Sequence, residues 1–248
     1  MNQSGKLFAL VGVLLAPLGA FAQEVPPDAW KVSTELGFNA ARGNSHLTLF
    51  STSLDVSRLD TEVFELSWSS SALYGENADS VVARRYRTGL NFDWQPEARV
   101  SPFVFVDAER DKFRKLRVRT NAGGGAKYAL WRAARTSGSI SAAVLHDYED
   151  FTVPLPGGAT SRATARWSLR AKADGELENG LVLETVAFFK PVVDEFDDYD
   201  IDARTKVGLK VNERVGLMLS WAFRYDSTPP ADVRRDDQVL QIGLTLDF

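Results

Sequence analysis

From Leu240 to Phe248 the chain alternates without a break. Leu240, Ile242, Leu244, Leu246 and Phe248 share one face, and Gln241, Gly243, Thr245 and Asp247 share the other. A period of two is the mark of a strand with two unlike faces. The pattern recurs along the chain: Trp30, Val32, Thr34, Leu36 and Phe38 oppose Lys31, Ser33, Glu35, Gly37 and Asn39. Phe64, Leu66, Trp68, Ala72 and Tyr74 oppose Glu65, Ser67, Ser69 and Ser71. Tyr86, Leu90, Phe92 and Trp94 oppose Arg85, Arg87, Asn91 and Asp93, and Leu116, Val118, Ala122, Ala126 and Tyr128 oppose Arg117, Arg119, Asn121 and Lys127. Further on, Ala163, Ala165, Trp167 and Leu169 oppose Arg166, Arg170 and Lys172. Ile201, Val207 and Leu209 oppose Asp202, Arg204, Lys206 and Lys210, and Val215 to Tyr225 behaves alike.

In a soluble sandwich the apolar face would point inward; in a membrane barrel it points to lipid and the polar face lines the lumen. Two features favour the barrel. The apolar faces often end in an aromatic, as at Trp30, Tyr74, Trp94, Tyr225 and Phe248, in the manner of interfacial girdles, and the last strand alternates up to the final residue. The fold expected is all-β, a transmembrane antiparallel up-and-down β-barrel of about twelve strands.

The segments expected are 29–42, 45–58, 61–74, 80–95, 98–111, 116–131, 136–151, 160–174, 177–190, 199–212, 214–227 and 236–248. Each exceeds the roughly 9–11 residues that a tilted strand needs to cross a bilayer. An even count puts both termini on one side, the periplasm. The turns expected there are Leu59-Asp60, Pro96-Glu97, Arg132 to Arg135, Gly175-Glu176 and Glu213. The opposite side receives longer connections, among them Gly75 to Asp79, Thr152 to Ala159, Pro191 to Asp198 and Thr228 to Arg235. Short turns inside and longer loops outside is the asymmetry such barrels show.

The beginning of the chain follows other rules. Lys6 is followed by Leu7 to Ala20, an apolar run of 14 residues, and then by Ala20-Phe21-Ala22. That is a secretory signal peptide, 1–22, with cleavage before Gln23; the run is short of the roughly 20 residues a membrane helix needs. Residues 23–248 are expected to form the barrel.

Composition narrows the chemistry. With no cysteine, disulfides, thiolate metal sites and a lipoprotein anchor are excluded. A net charge of −4 argues against nucleic acid as a partner, and two histidines and two methionines leave little for a transition metal. No cofactor is expected.

Short motifs point to a family. Trp30 to Phe38, reading Trp-x-x-x-x-Glu-Leu-Gly-Phe, followed by Arg42-Gly43-Asn44-Ser45, resembles the start of the YdiY-like salt-induced outer-membrane protein family. So do Asp111-Lys112-Phe113, Leu116-Arg117 and Gly123-Gly124-Gly125-Ala126-Lys127-Tyr128. Tyr225-Asp226-Ser227, Pro229-Pro230, Asp237 and the run to Phe248 are similar to its C-terminus. The resemblance implies a bacterial outer-membrane barrel, with Leu244, Leu246 and Phe248 read by the barrel-assembly machinery. It brings no catalytic residues, because the family is one of unknown function.

The polar face carries both signs of charge. Its acids include Glu35, Glu65, Asp93, Asp107, Glu109, Asp202 and Asp226, and its bases Arg85, Arg87, Arg117, Arg119, Arg166, Arg170, Arg204 and Arg224. Arg85 and Arg87 stand one strand from Asp107 and Glu109, which stand one strand from Arg117 and Arg119. Buried charges need partners, so a salt-bridged lumen is expected, in a structural or envelope-stress barrel. The alternative is a narrow passive pore for small polar or ionic solutes. A hydrolase acting on lipid or peptide is a third reading, resting only on His146 beside Asp147 and Asp150, with His46 remote; alternation turns His146 to the lipid face and Asp147 away from it.

Two tips on the outer side face lipid and lipopolysaccharide, the partners expected there. Lys112, Arg114 and Lys115 form a basic tip, and Asp194, Glu195, Asp197, Asp198 and Asp200 an acidic loop, a candidate for divalent cations although it lacks the glycine and terminal glutamate of an EF-hand. Gly123-Gly124-Gly125 is no phosphate cradle, since no helix follows it, and marks a bend or a close strand approach.

Overall fold

A computed structural model describes residues 30–41, 47–60, 63–77, 80–155, 157–177, 180–212, 214–230 and 232–247. The leader expected over 1–22, His46 and Phe248 lie outside the described residues. Twelve antiparallel strands close into one barrel, each pairing with its neighbours in sequence and the first with the last. They are β1 (Trp30–Ala41), β2 (Leu47–Asp60), β3 (Phe64–Asn77), β4 (Ser80–Trp94), β5 (Val100–Asp111), β6 (Leu116–Arg132), β7 (Thr136–Phe151), β8 (Ser161–Glu176), β9 (Leu181–Pro191), β10 (Tyr199–Lys210), β11 (Val215–Asp226) and β12 (Asp236–Asp247). Among the described residues no helix is long and apolar enough to cross a membrane.

The two faces of the wall are inverted relative to a soluble protein. Val104, Ile242 and Phe38 are 57%, 64% and 61% exposed, whereas Arg166 and Asp147 are each 0% exposed. The apolar parity of each strand points out and the charged parity points in, which is the arrangement of a barrel surrounded by lipid. Buried apolar side chains are few: Leu116, Phe151 and Leu155 form a small cluster at one rim, and Ala143 and Leu145 face inward midway along β7.

The ladders correct several boundaries. β2 runs on through Leu59 and Asp60, and β3 begins at Phe64. Gly75 to Asp79 is not a long loop: the β3–β4 ladder continues to Asn77↔Ser80 across a bulge at Gly75/Glu76, leaving only residues 78–79 between the strands. A glycine followed by polar residues reads as loop in sequence, but here their backbone groups complete the ladder. Gly175 and Glu176 likewise belong to β8, and β9 begins at Leu181. The long connections, 152–160, 192–198 and 227–235, all lie at the end opposite the termini and all join strands of the second half.

Close approaches explain the glycines of β6. A Cβ on Gly123 would sit 2.5 Å from the Val144 carbonyl oxygen, and one on Gly125 would collide with that of Ala142. The strand folds tightly onto β7 only because these positions carry no side chain. A similar constraint operates at the closure, where a Cβ on Gly243 would strike the Leu36 carbonyl oxygen. The β1–β12 ladder is short, running from Ser33↔Asp247 to Gly37↔Gly243. Past that pair a crevice of about 300 Å³ opens on the wall, lined by Leu36, Phe38, Phe50, Leu217, Ile242 and Leu244 among others.

Candidate functional site

Alternation aims the charged side chains of β4 to β11 into the lumen, and toward the long-loop end they meet. On one side Arg85 donates to Asp111 at 2.5 Å and lies 3.6 Å from Glu109. Glu109 accepts from the two terminal nitrogens of Arg224, at 2.6 and 3.2 Å. Arg224 also donates through Nε to Asp202 at 2.8 Å, and Asp202 accepts from Lys190 at 2.5 Å. In a ring of twelve, β5 and β11 are six places apart in either direction. The bidentate Arg224–Glu109 link therefore crosses the full width of the lumen.

A second group lies on β6, β7, β8 and β10. Arg119 donates to both oxygens of Asp147, at 2.9 and 2.6 Å, and to Asp200 at 2.5 Å, with Glu149 at 3.6 Å. Arg166 contacts the same Asp147 at 3.1 Å and Asp198 at 3.0 Å. Arg162 donates to Glu149 at 2.5 Å, to Asp198 at 3.3 Å and to the Thr228 hydroxyl at 2.9 Å, which ties two of the long connections to the wall. At the rim Arg114 donates to Asp226 at 2.6 Å. Each carboxylate here has at least one arginine or lysine, as buried charge demands.

Toward the terminal end the pairing thins. Lys206 meets Glu35 and Lys127 meets Asp93 at 3.1 Å. Arg170 and Arg204 have no ion-pair partner within 4.0 Å among the described residues, and Arg87 lies 3.7 Å from Asp107 with its side chain 36% exposed. On β2 and β3 the inward positions are mostly serines, Ser51, Ser53, Ser57, Ser67, Ser69 and Ser71.

The expected pairs separate. Arg85 reaches Glu109 and Arg87 reaches Asp107. Neither Arg117 nor Arg119 pairs with Asp107 or Glu109: Asp107 accepts instead from Asn121 at 3.1 Å, and Glu109 from Arg224. Arg117 is not luminal. Its side chain is 58% exposed on the outer wall and paired with Asp150 at 2.8 Å, while Leu116 points inward. The β6 ladder slips by one residue between Leu116 and Val118, and a one-residue slip reverses the parity of what precedes it. Asp111, Asp147, Glu149, Arg162, Lys190 and Asp200 complete the network without having been singled out as luminal. Period-two parity alone assigns Glu149 to the same face as Asp147, and Asp200 to the same face as Asp202.

The tips are also redistributed. Asp111 accepts from the backbone N–H of Phe113 at 2.9 Å and of Arg114 at 3.3 Å, and Lys115 adopts a left-handed φ of 57°. This turn carries Arg114 into the barrel, so Lys112 and Lys115 alone remain at the basic tip. Of the acidic loop, Asp198 and Asp200 turn inward to arginines, leaving Asp194, Glu195 and Asp197 exposed. His146 lies on the outer wall while Asp147 is buried between Arg119 and Arg166, so the two do not form an acid–base pair.

Among solved structures, the NanC porin superposes over 89% of this chain and 100% of its own at a TM-score of 0.51 and 6% identity. An outer-membrane channel from Pseudomonas putida F1 superposes over 90% and 97% at 0.51 and 9%. At such identities the likeness concerns the fold. No curated protein matches the sequence. A family model described as "Protein of unknown function, DUF481" matches residues 34–248, in line with the resemblance carried by the motifs at Trp30–Phe38 and Gly123–Tyr128. The chain belongs to the DUF481 family.

Proposed function

We propose that the chain is a bacterial outer-membrane barrel whose lumen is held shut toward the cell exterior by charge-paired struts, and that it serves the envelope as a structural or stress-related barrel. The observation that carries this reading is the bidentate Arg224–Glu109 link between diametrically opposed strands, continued through Asp202, Lys190 and Arg85. Secretion removes residues 1–22, the two termini face the periplasm, and the machinery that assembles outer-membrane barrels reads the strand ending in Leu244, Leu246 and Phe248. Apolar girdles on the wall and short turns on the terminal side support this orientation. Outer-membrane lipid and lipopolysaccharide surround it.

A narrow passive pore is the second reading. It is favoured by the water-facing Arg87 and Arg204 and the serine-lined wall toward the periplasm, and it agrees with the porin and channel among the barrels of like fold. His146 lies on the outer wall and Asp147 is held between Arg119 and Arg166, so the histidine has no acid beside it to orient it as a base, and a non-enzymatic role fits better. Swelling of proteoliposomes in arabinose separates the two readings. A shut barrel gives the rate of protein-free vesicles, and a rate rising with protein content would favour the pore.

A further inference from the structure

The outer wall carries one concentrated basic patch that the luminal network leaves unexplained. Arg84 on β4, Arg110 on β5 and Arg117 on β6 all point outward at the long-loop end, with Lys112 and Lys115 in the turn that joins β5 to β6. They are contiguous. The Lys112 N–H donates to the Arg84 carbonyl at 2.9 Å, Arg110 opposes Tyr86, and the slip between Glu109↔Arg119 and Asp111↔Leu116 sets Arg110 against the Arg117–Val118 stretch. Arg84, Arg110, Lys112 and Lys115 have no ion-pair partner among the described residues; Arg117 has Asp150, and Glu76 accepts from the nearby Tyr74 hydroxyl. Like charges side by side on a sheet repel one another; Asp150 answers Arg117, but Arg84, Arg110, Lys112 and Lys115 form an unfavourable cluster unless a further anion answers it.

What lies beneath the cluster indicates which anion. Arg84 stacks over the Tyr74 ring at 5.8 Å, and Tyr86, Val106, Val104 and Leu90 continue as an exposed apolar wall. A basic rim above an aromatic and aliphatic wall matches an amphiphile with phosphates at the headgroup level and acyl chains below. The rim is not basic all round, since the 192–198 connection presents Asp194, Glu195 and Asp197.

We infer that the outward face of β4–β6, through Arg84, Arg110, Lys112, Lys115 and Arg117, binds the phosphates of a phosphorylated glycolipid of the outer leaflet. This rests on the outer-membrane reading above. The guanidinium forks suit phosphate oxygens, and each cation at a membrane surface strengthens binding about fivefold. Removing three of them therefore weakens binding on the order of a hundredfold.

The test uses the full chain folded in detergent micelles, with bisphosphorylated lipid A as probe and binding followed by native mass spectrometry and titration. The variant Arg84→Gln/Arg110→Gln/Lys112→Gln should bind on the order of a hundredfold more weakly. Arg234→Gln, at an exposed position of the rim paired with Asp236, should bind as the parent does. Dephosphorylated lipid A should bind the parent as weakly as bisphosphorylated lipid A binds the triple variant. Equal binding by parent and triple variant, or by the two lipids, would overturn the inference. Displacement by millimolar inorganic phosphate would overturn it too, by assigning the patch to free anions. Heat-modifiable migration verifies that each variant is folded, and membrane fractionation is read separately. A folded chain found in the outer membrane without phosphate-dependent binding sinks this inference alone, and a chain absent from the outer membrane sinks both.

Discussion

Replacing Arg119 by Met keeps most of the side chain's aliphatic volume and removes one cation from three carboxylates. The consequences differ among them. Asp147 retains Arg166 at 3.1 Å and Glu149 retains Arg162 at 2.5 Å, but Asp200 has Arg119 as its ion-pair partner and loses it. Arg119 and Asp200 are 4% and 3% exposed at the side chain, so water does little to compensate. Stripping a buried carboxylate of its partner costs about 3–5 kcal/mol. Arg119→Met should lose stability in that range, measured by urea unfolding from lipid vesicles with tryptophan fluorescence. Adding Asp200→Asn removes the orphaned charge and should restore about half of the loss or more. Asp147→Asn alone should cost less than Arg119→Met, because Arg119 keeps Asp200 and Glu149. A loss under about 1 kcal/mol for Arg119→Met, or no recovery with Asp200→Asn, would refute the argument that these charges are buried and mutually dependent.

Gly243→Val places a side chain against the Leu36 carbonyl oxygen at the barrel closure, and overpacking of this kind costs about 1–3 kcal/mol. It should lower the heat-resistant folded fraction on gels, whereas Gly208→Ala, whose nearest neighbour would be 3.6 Å from the new Cβ, should not. Deleting Phe248 should reduce insertion into the outer membrane while secretion continues, as seen by fractionation; unchanged barrel yield would remove the C-terminal residue from the assembly signal. His146→Ala should leave folding and any lipid or peptide turnover unaltered, since His146 sits on the outer wall apart from Asp147, and loss of a hydrolytic activity would reverse the non-enzymatic reading.

The wall was legible because its rule is local. In β12, Leu240, Ile242 and Leu244 alternate with polar residues in sequence and stand 55%, 64% and 42% exposed on the barrel. Parity failed where a bulge intervened: the slip at Leu116/Val118 is invisible in sequence, and it sent Arg117 outward and Leu116 in. Loop length failed at Gly75 to Asp79, where turn-forming residues are absorbed by a ladder that sequence composition does not reveal. The site was harder. Neighbouring strands can be paired on paper, which is how Arg85 meets Glu109 and Arg87 meets Asp107. The strut itself joins residues 115 apart in sequence, and which strand faces β5 across the ring depends on strand number, tilt and stagger together.

Single-channel recording in planar bilayers tests the central claim most directly, comparing the parent with Glu109→Gln/Arg224→Gln. The double substitution removes the strut and strands neither partner as a lone buried charge. The parent should show no discrete conductance steps over the voltages the bilayer tolerates, and the double variant should show them. Steps of the same size in both proteins would contradict the account, because the lumen would then conduct past a link that holds nothing shut.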